Sequence, residues 1–198
     1  MTIINQVYTL AKAAAVVVVA FTAFHWFGIV RHYDNKLNKV PYSISEPDSG
    51  HYVVDLDQEI TNEVHHYKDL YDFLISLSSD DTVTFKIHGY GGSVTSALLV
   101  INGIKETKAK VMGDVESASY SAHGYIACTI AKENLTFHGY SFIMLHSVQS
   151  EQTPTRELQE ATAGRLLGEC IDKGYMTPED AERMVANNKV EYYYWPGK

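Results

Sequence analysis

Cysteine is scarce in this 198-residue chain, which has only Cys128 and Cys170. Two cysteines without CxxC spacing cannot build a disulfide framework. Both fall in stretches with helical patterning, so buried free thiols in a reducing compartment are expected. Basic residues are also in deficit, with 16 Lys and Arg against 24 Asp and Glu and a net charge of −8. That balance lacks the positive surface from which nucleic-acid binding by counterion release would draw its affinity. The nine histidines include no HExxH, and neither a metal site nor any other cofactor is expected. There is no internal repeat.

One long uncharged run is present over residues 13–30 (AAAVVVVAFTAFHWFGIV). Its length suits a helix crossing a bilayer, and no small-x-small cleavage site follows it, so residues 1–30 are expected to form a hydrophobic helix that anchors the chain as a single-pass membrane protein. Arg31, Lys36 and Lys39 follow the run while only Lys12 precedes it, which places the C-terminal domain in the cytoplasm by the positive-inside rule. A buried or swapped N-terminal helix in an oligomer is the alternative. Residues 31–50, with Pro41, Pro47 and Gly50 among polar residues, have linker composition. Residues 51–198 then form one domain.

Within that domain, periods of two and of 3.6 alternate. Tyr52, Val54 and Leu56 predict a strand, and Val64, Tyr67, Leu70, Phe73, Leu74 and Leu77 predict a helix over 61–77. Val83, Phe85 and Ile87 predict a second strand that ends at Gly89-Tyr90-Gly91-Gly92, followed by a helix carrying Val94, Ala97, Leu98, Ile101 and Ile104. Strands over 111–115, 135–137 and 141–145 and helices over 121–132 and around 155–170 complete the series. Thr177-Pro178 predicts a capped helix start. Such alternation specifies an α/β layered core with right-handed crossovers. The aromatic run Tyr192-Tyr193-Tyr194-Trp195 is expected to be a packed strand or subunit contact rather than a ligand box.

Four separated pieces carry candidate chemistry. Gly91 and Gly92 close a buried strand and open a helix, where backbone N–H groups and the helix dipole suit an oxyanion. Ser121 begins the next helix and is the candidate nucleophile, with the N–H of Ala122 beside it; its alternative role is a helix N-cap. His146 ends an apolar strand, at the sheet edge where sites gather, and is the candidate general base. Asp172, near a loop, would orient the imidazole. The strand edge beside Gly89 to Ser93 could pair an extended ligand, making Gly91 and Ser93 candidate substrate contacts.

These residues resemble the ClpP proteolytic subunit family. The segment GYGGSVTSALLVINGIKETKAKV is similar to that family's stretch after its oxyanion glycines, and SYSAHGYIACTIAKENLTFHGYSFIMLH to its nucleophile helix and histidine strand. The resemblance spans about Tyr52 to Val190. It implies a ClpP/crotonase-like spiral of βα units and hydrolysis of peptide bonds, with Ser121, His146 and Asp172 as triad and the Gly92 and Ala122 amides as oxyanion hole. It also implies peptide or unfolded-protein substrates, a homo-oligomeric ring and an ATP-dependent unfoldase partner.

The chain departs from the family at several points. Tyr120 stands where the family has a small residue, which keeps Ser119 as a rival nucleophile, and Ala122-His123-Gly124 replaces a methionine-glycine-alanine run. The segment between His146 and Asp172 is shorter, reducing the handle helix to the helix around 155–170. The apolar run replaces the axial segment that meets an unfoldase, leaving that partner open. Two other readings stand beside the ClpP-like peptidase. One is a membrane-bound signal-peptide-peptidase-like protease using a Ser-Lys dyad with Lys173, and the other is a catalytically idle scaffold. Acyl-CoA chemistry of the crotonase branch has no use for the Ser-His-Asp set and ranks last.

Overall fold

A computed structural model describes residues 40–147, 156–187 and 190–197. The hydrophobic helix expected over residues 1–30 lies outside the described residues. Among those described, no helix is long and apolar enough to cross a membrane.

The sheet begins at β1 (Ser43–Asp48), antiparallel to β2 (His51–Leu56). This puts a strand within the linker expected over 31–50, of which residues 31–39 lie outside the described residues. A polar, proline-bearing sequence reads as loop, but β1 is an edge strand whose side chains are mostly exposed, a place that tolerates Pro47 and charged residues alike. β2 runs parallel to β3 (Thr82–Gly89), and the chain crosses between them through α1 (Val64–Ser76). A second crossover, α2 (Val94–Glu106), leads to β4 (Lys110–Tyr120), parallel to β3. The alternating residues Val54, Leu56, Val83, Phe85 and Ile87 are buried, as are Leu70 and Leu74 on α1. The helices pack tightly enough that a Cβ on Gly103 would stand 2.7 Å from Cδ1 of Leu74.

β4 has 11 residues, well beyond the 111–115 expected, because its two halves pair with different neighbours. Gly113–Val115 pair with β5 (Leu135–Phe137), while Ala118–Tyr120 pair with β6 (Phe142–His146). Between β4 and β5 lies α3 (Ala122–Thr129), and the chain continues through α4 (Arg156–Asp172), α5 (Pro178–Ala186) and β7 (Glu191–Tyr194). The sheet order is β1-β2-β3-β4-β6-β7, with β7 antiparallel to β6. The Thr177 hydroxyl accepts from the Asp180 N–H at 3.1 Å and caps α5.

The aromatic C-terminus is a packed strand. Tyr194 meets Tyr175 edge-on at 5.1 Å, and the Tyr192 hydroxyl donates to the Tyr175 carbonyl at 2.9 Å. The cysteines correct their expectation. Cys128 on α3 and Cys170 on α4 form a disulfide, with Cα atoms 4.8 Å apart and both residues buried. Their separation of 42 residues hid a pairing that only the packing of α3 on α4 brings about.

Candidate active site

Ser121 sits at the corner where β4 ends and α3 begins, with φ 54° and ψ −119°. It is the one non-glycine residue with positive φ among those described. Such a conformation costs a side-chain-bearing residue about 1–3 kcal/mol, and it persists only where surrounding contacts impose it. Here the Ser121 N–H donates to the Met144 carbonyl on β6 at 2.8 Å, and its own carbonyl accepts from Tyr125 N–H at 2.9 Å. The hydroxyl makes no capping hydrogen bond to α3, so the N-cap role is not used. Ser119 is excluded from comparable chemistry. It is fully buried, and its hydroxyl donates to the Ile87 carbonyl at 2.9 Å.

The glycine turn lies against this corner. A Cβ on Gly91 would stand 2.6 Å from the Ser121 Cβ and 3.1 Å from the Ala122 nitrogen, at a φ of +100°. Only glycine permits this approach. The Gly91 carbonyl accepts from Ile60 N–H at 2.9 Å, and because a trans peptide sets N–H opposite C=O, the Gly92 N–H points away from Ile60. The Ala122 N–H belongs to the first turn of α3, whose donors have no acceptor within the helix. Gly92 and Ala122 thus retain N–H groups free of the ladder, as an oxyanion hole requires. Gly91 and Ser93, expected as substrate contacts, are already committed. The Gly91 N–H donates to His123 Nδ1 at 3.0 Å, the Ser93 N–H donates to Ile60 at 2.6 Å, and the Ser93 hydroxyl accepts from Ser96 N–H.

His123 has no role that its sequence context reveals, although it stands in the run that departs from the family pattern. It is fully buried. Burial pushes its pKa down to about 4, with His88 adding to the depression and Asp57 opposing it. An imidazole that accepts at Nδ1 carries its proton on Nε2. That nitrogen lies toward the carbonyls of Leu56 and Gln58 without a full hydrogen bond to either.

His146 is half-buried at the end of β6, two residues beyond the Met144 that Ser121 contacts. Its Nδ1 lies 2.9 Å from the Ser147 carbonyl, and its own carbonyl accepts from the Tyr125 hydroxyl at 2.7 Å. With Nδ1–H donating, Nε2 keeps its lone pair, the tautomer a general base needs. Asp172 is exposed at the end of α4. Among the described residues it makes no hydrogen bond to His146, whose Nδ1 is held by Ser147 instead. Lys173 is exposed at the same helix end.

A cleft of about 420 Å³ opens beside the turn, between Asp57–Glu59, Gly89–Gly92 and Ser117, Ala118 and Tyr120. Tyr120 takes the bulk that the resemblance left unexplained into this cleft. It stacks on Tyr90 at 5.6 Å and meets Phe142 edge-on at the same distance. At the cleft's edge, Asp55, Asp57 and His88 bring one ligand atom each within 4.8 Å of one another, the donor set among the described residues that could hold a cation. Burial and the neighbouring Asp57 raise the Asp55 pKa.

No family model matches the sequence, and no curated protein matches it. Solved structures do match in shape. A point mutant of ClpP1 from Listeria monocytogenes aligns with a TM-score of 0.58 at 20% identity, covering 71% of this chain and 81% of that one. The ClpP protease catalytic domain from Plasmodium falciparum aligns with a TM-score of 0.56 at 18% identity, covering 72% and 75%. The chain has a ClpP-like fold. Within this ClpP-like arrangement, the helix expected around 155–170 is α4, 17 residues long.

Proposed function

We propose that this chain is a serine peptidase of ClpP type, with Ser121 as nucleophile and His146 as general base. The observation that carries the reading is Ser121 itself: a non-glycine residue in a costly conformation at a strand-to-helix corner, against a glycine turn, in a ClpP-like fold. The Ser121 hydroxyl attacks the scissile carbonyl as His146 Nε2 takes its proton, and the Gly92 and Ala122 amides receive the oxyanion. His146 then protonates the leaving amine, and water resolves the acyl-enzyme. Asp172 is the third member that the resemblance implies. In the described conformation the His146 Nδ1 proton goes to the Ser147 carbonyl, so a bond from Asp172 would replace that one.

The substrate is an extended peptide or unfolded chain, taken up by a homo-oligomeric ring as the ClpP likeness suggests. The apolar run at 13–30 would tether the domain to a membrane with its catalytic part in the cytoplasm. Carbonate extraction that releases the full chain overturns the tether.

An idle scaffold is favoured by one observation, that the hydroxyl, imidazole and carboxylate are not joined by hydrogen bonds. Labelling with a fluorophosphonate probe separates the two. The full chain is expected to label and to lose labelling as Ser121→Ala; absence of labelling in the unaltered protein overturns the peptidase reading.

A further inference from the structure

We propose that His123 is a positioning residue for this site: its unprotonated Nδ1 holds the Gly91 N–H, and with it the glycine turn that presents the Gly91–Gly92 peptide beside Ser121. The inference rests on the serine-peptidase reading above. His123 lies two residues after Ser121 on the same helix, so the helix that carries the nucleophile also carries the acceptor for the glycine turn. The Gly91 N–H reaches it at 3.0 Å, and Ile60 holds the Gly91 carbonyl from the other side. The first bond holds the Tyr90–Gly91 peptide and the second the Gly91–Gly92 peptide, so both planes flanking the Gly91 Cα are tied, and rotation of either would turn the Gly92 N–H out of place. The imidazole also forms the floor under the turn. A Cβ on Gly89 would meet its Cε1 at 2.9 Å. The ring is buried and neutral, flanked by the Leu56 and Gln58 carbonyls and, farther off, by His88 and Asp57. It therefore remains an acceptor at any pH where peptidases of this chemistry work.

The test uses the full chain with three replacements and a fluorophosphonate probe, backed by peptide hydrolysis. Asn places an acceptor where Nδ1 is, Gln places it near Nε2, and Leu keeps volume without an acceptor. His123→Leu and His123→Gln are expected to label at least about 10-fold more slowly, with kcat falling and KM little changed, because the loss is confined to the transition state. His123→Asn is expected to recover most of the lost rate. Should the Leu variant fail to fold, the comparison of Asn with Gln decides. Equal rates for Asn and Gln, or undiminished labelling of a folded Leu variant, overturn the positioning role while leaving Ser121 as nucleophile. An unaltered protein that never labels overturns both.

Discussion

The hydroxyl of Tyr125 donates to the main-chain carbonyl of His146 at 2.7 Å. The helix that opens at Ser121 thus fixes, one turn later, the backbone of the strand end that bears the proposed base. Burial raises the pKa of this phenol, so it stays a donor across the working range. Tyr125→Phe removes the donor and leaves a carbonyl without it, which is expected to lower the unfolding free energy by about 1–3 kcal/mol and to reduce kcat. Denaturant titration and peptide hydrolysis measure the two. Wild-type kcat in a destabilised variant would show that the bond serves the fold alone.

The two serines of the β4 end should separate cleanly. Ser119→Ala loses only a buried hydrogen bond to Ile87, so it is expected to keep probe labelling at a stability cost of roughly 1 kcal/mol. Ser121→Ala abolishes labelling. Ser121→Gly does the same but is expected to raise stability by about 1 kcal/mol or more, since glycine relieves the positive φ. A less stable Ser121→Gly would argue against backbone strain at this corner.

His146 and Asp172 are predicted to differ in weight. His146→Ala should cost about six orders of magnitude in kcat, the scale seen when a triad base is removed. Asp172→Ala should cost less than about 10-fold, because the Ser147 carbonyl already holds the Nδ1 proton. Comparable losses at both positions would mean that Asp172 swings onto the imidazole during turnover.

The disulfide closes a loop of 42 residues, and loop-entropy arithmetic puts its stabilisation on the order of 4 kcal/mol. Cys128→Ala with Cys170→Ala, or reduction by a dithiol, should lower the denaturant midpoint accordingly. Thiol titration of the denatured, unreduced chain should find no free cysteine. Finding both free would restore the reduced pair that their sequence context suggests.

Acid should destabilise the fold through His123. Its folded pKa of about 4 lies below the ordinary 6.5, so between these values the unfolded chain binds more protons and stability rises with pH. Stability is therefore complete above about pH 6.5, declines as pH falls toward 4, and by then has lost about 3 kcal/mol from this group. Unfolding measured at pH 7 and pH 4 should show that loss in the unaltered chain and not in His123→Asn. Equal losses would assign the acid sensitivity to other groups.

Much of the scaffold was legible because its signals are local. The alternation at Val83, Phe85 and Ile87, the helical spacing from Val94 to Ile104 and the Thr177-Pro178 cap each state their conformation within a few residues. β1 escaped notice because an edge strand needs no apolar alternation. The second half of β4 did so because Glu116, Ser117, Ala118 and Ser119 have little strand propensity, and the pairing of Ala118–Tyr120 with β6 is what carries the strand through them.

By itself the sequence determined the order of strands and helices from β2 onward, the glycine turn after β3, and the candidates Ser121, His146 and Asp172. It did so because periodicity, capping and glycine placement act between near neighbours. Only the tertiary structure decided which of two serines is free, that Cys128 meets Cys170, that Ser147 rather than Asp172 holds the imidazole, and that His123 holds Gly91. The serine, cysteine and His123 contacts depend on where a crossover returns the chain, a position set by packing against distant residues, and the Ser147 contact depends on the backbone conformation at the end of β6.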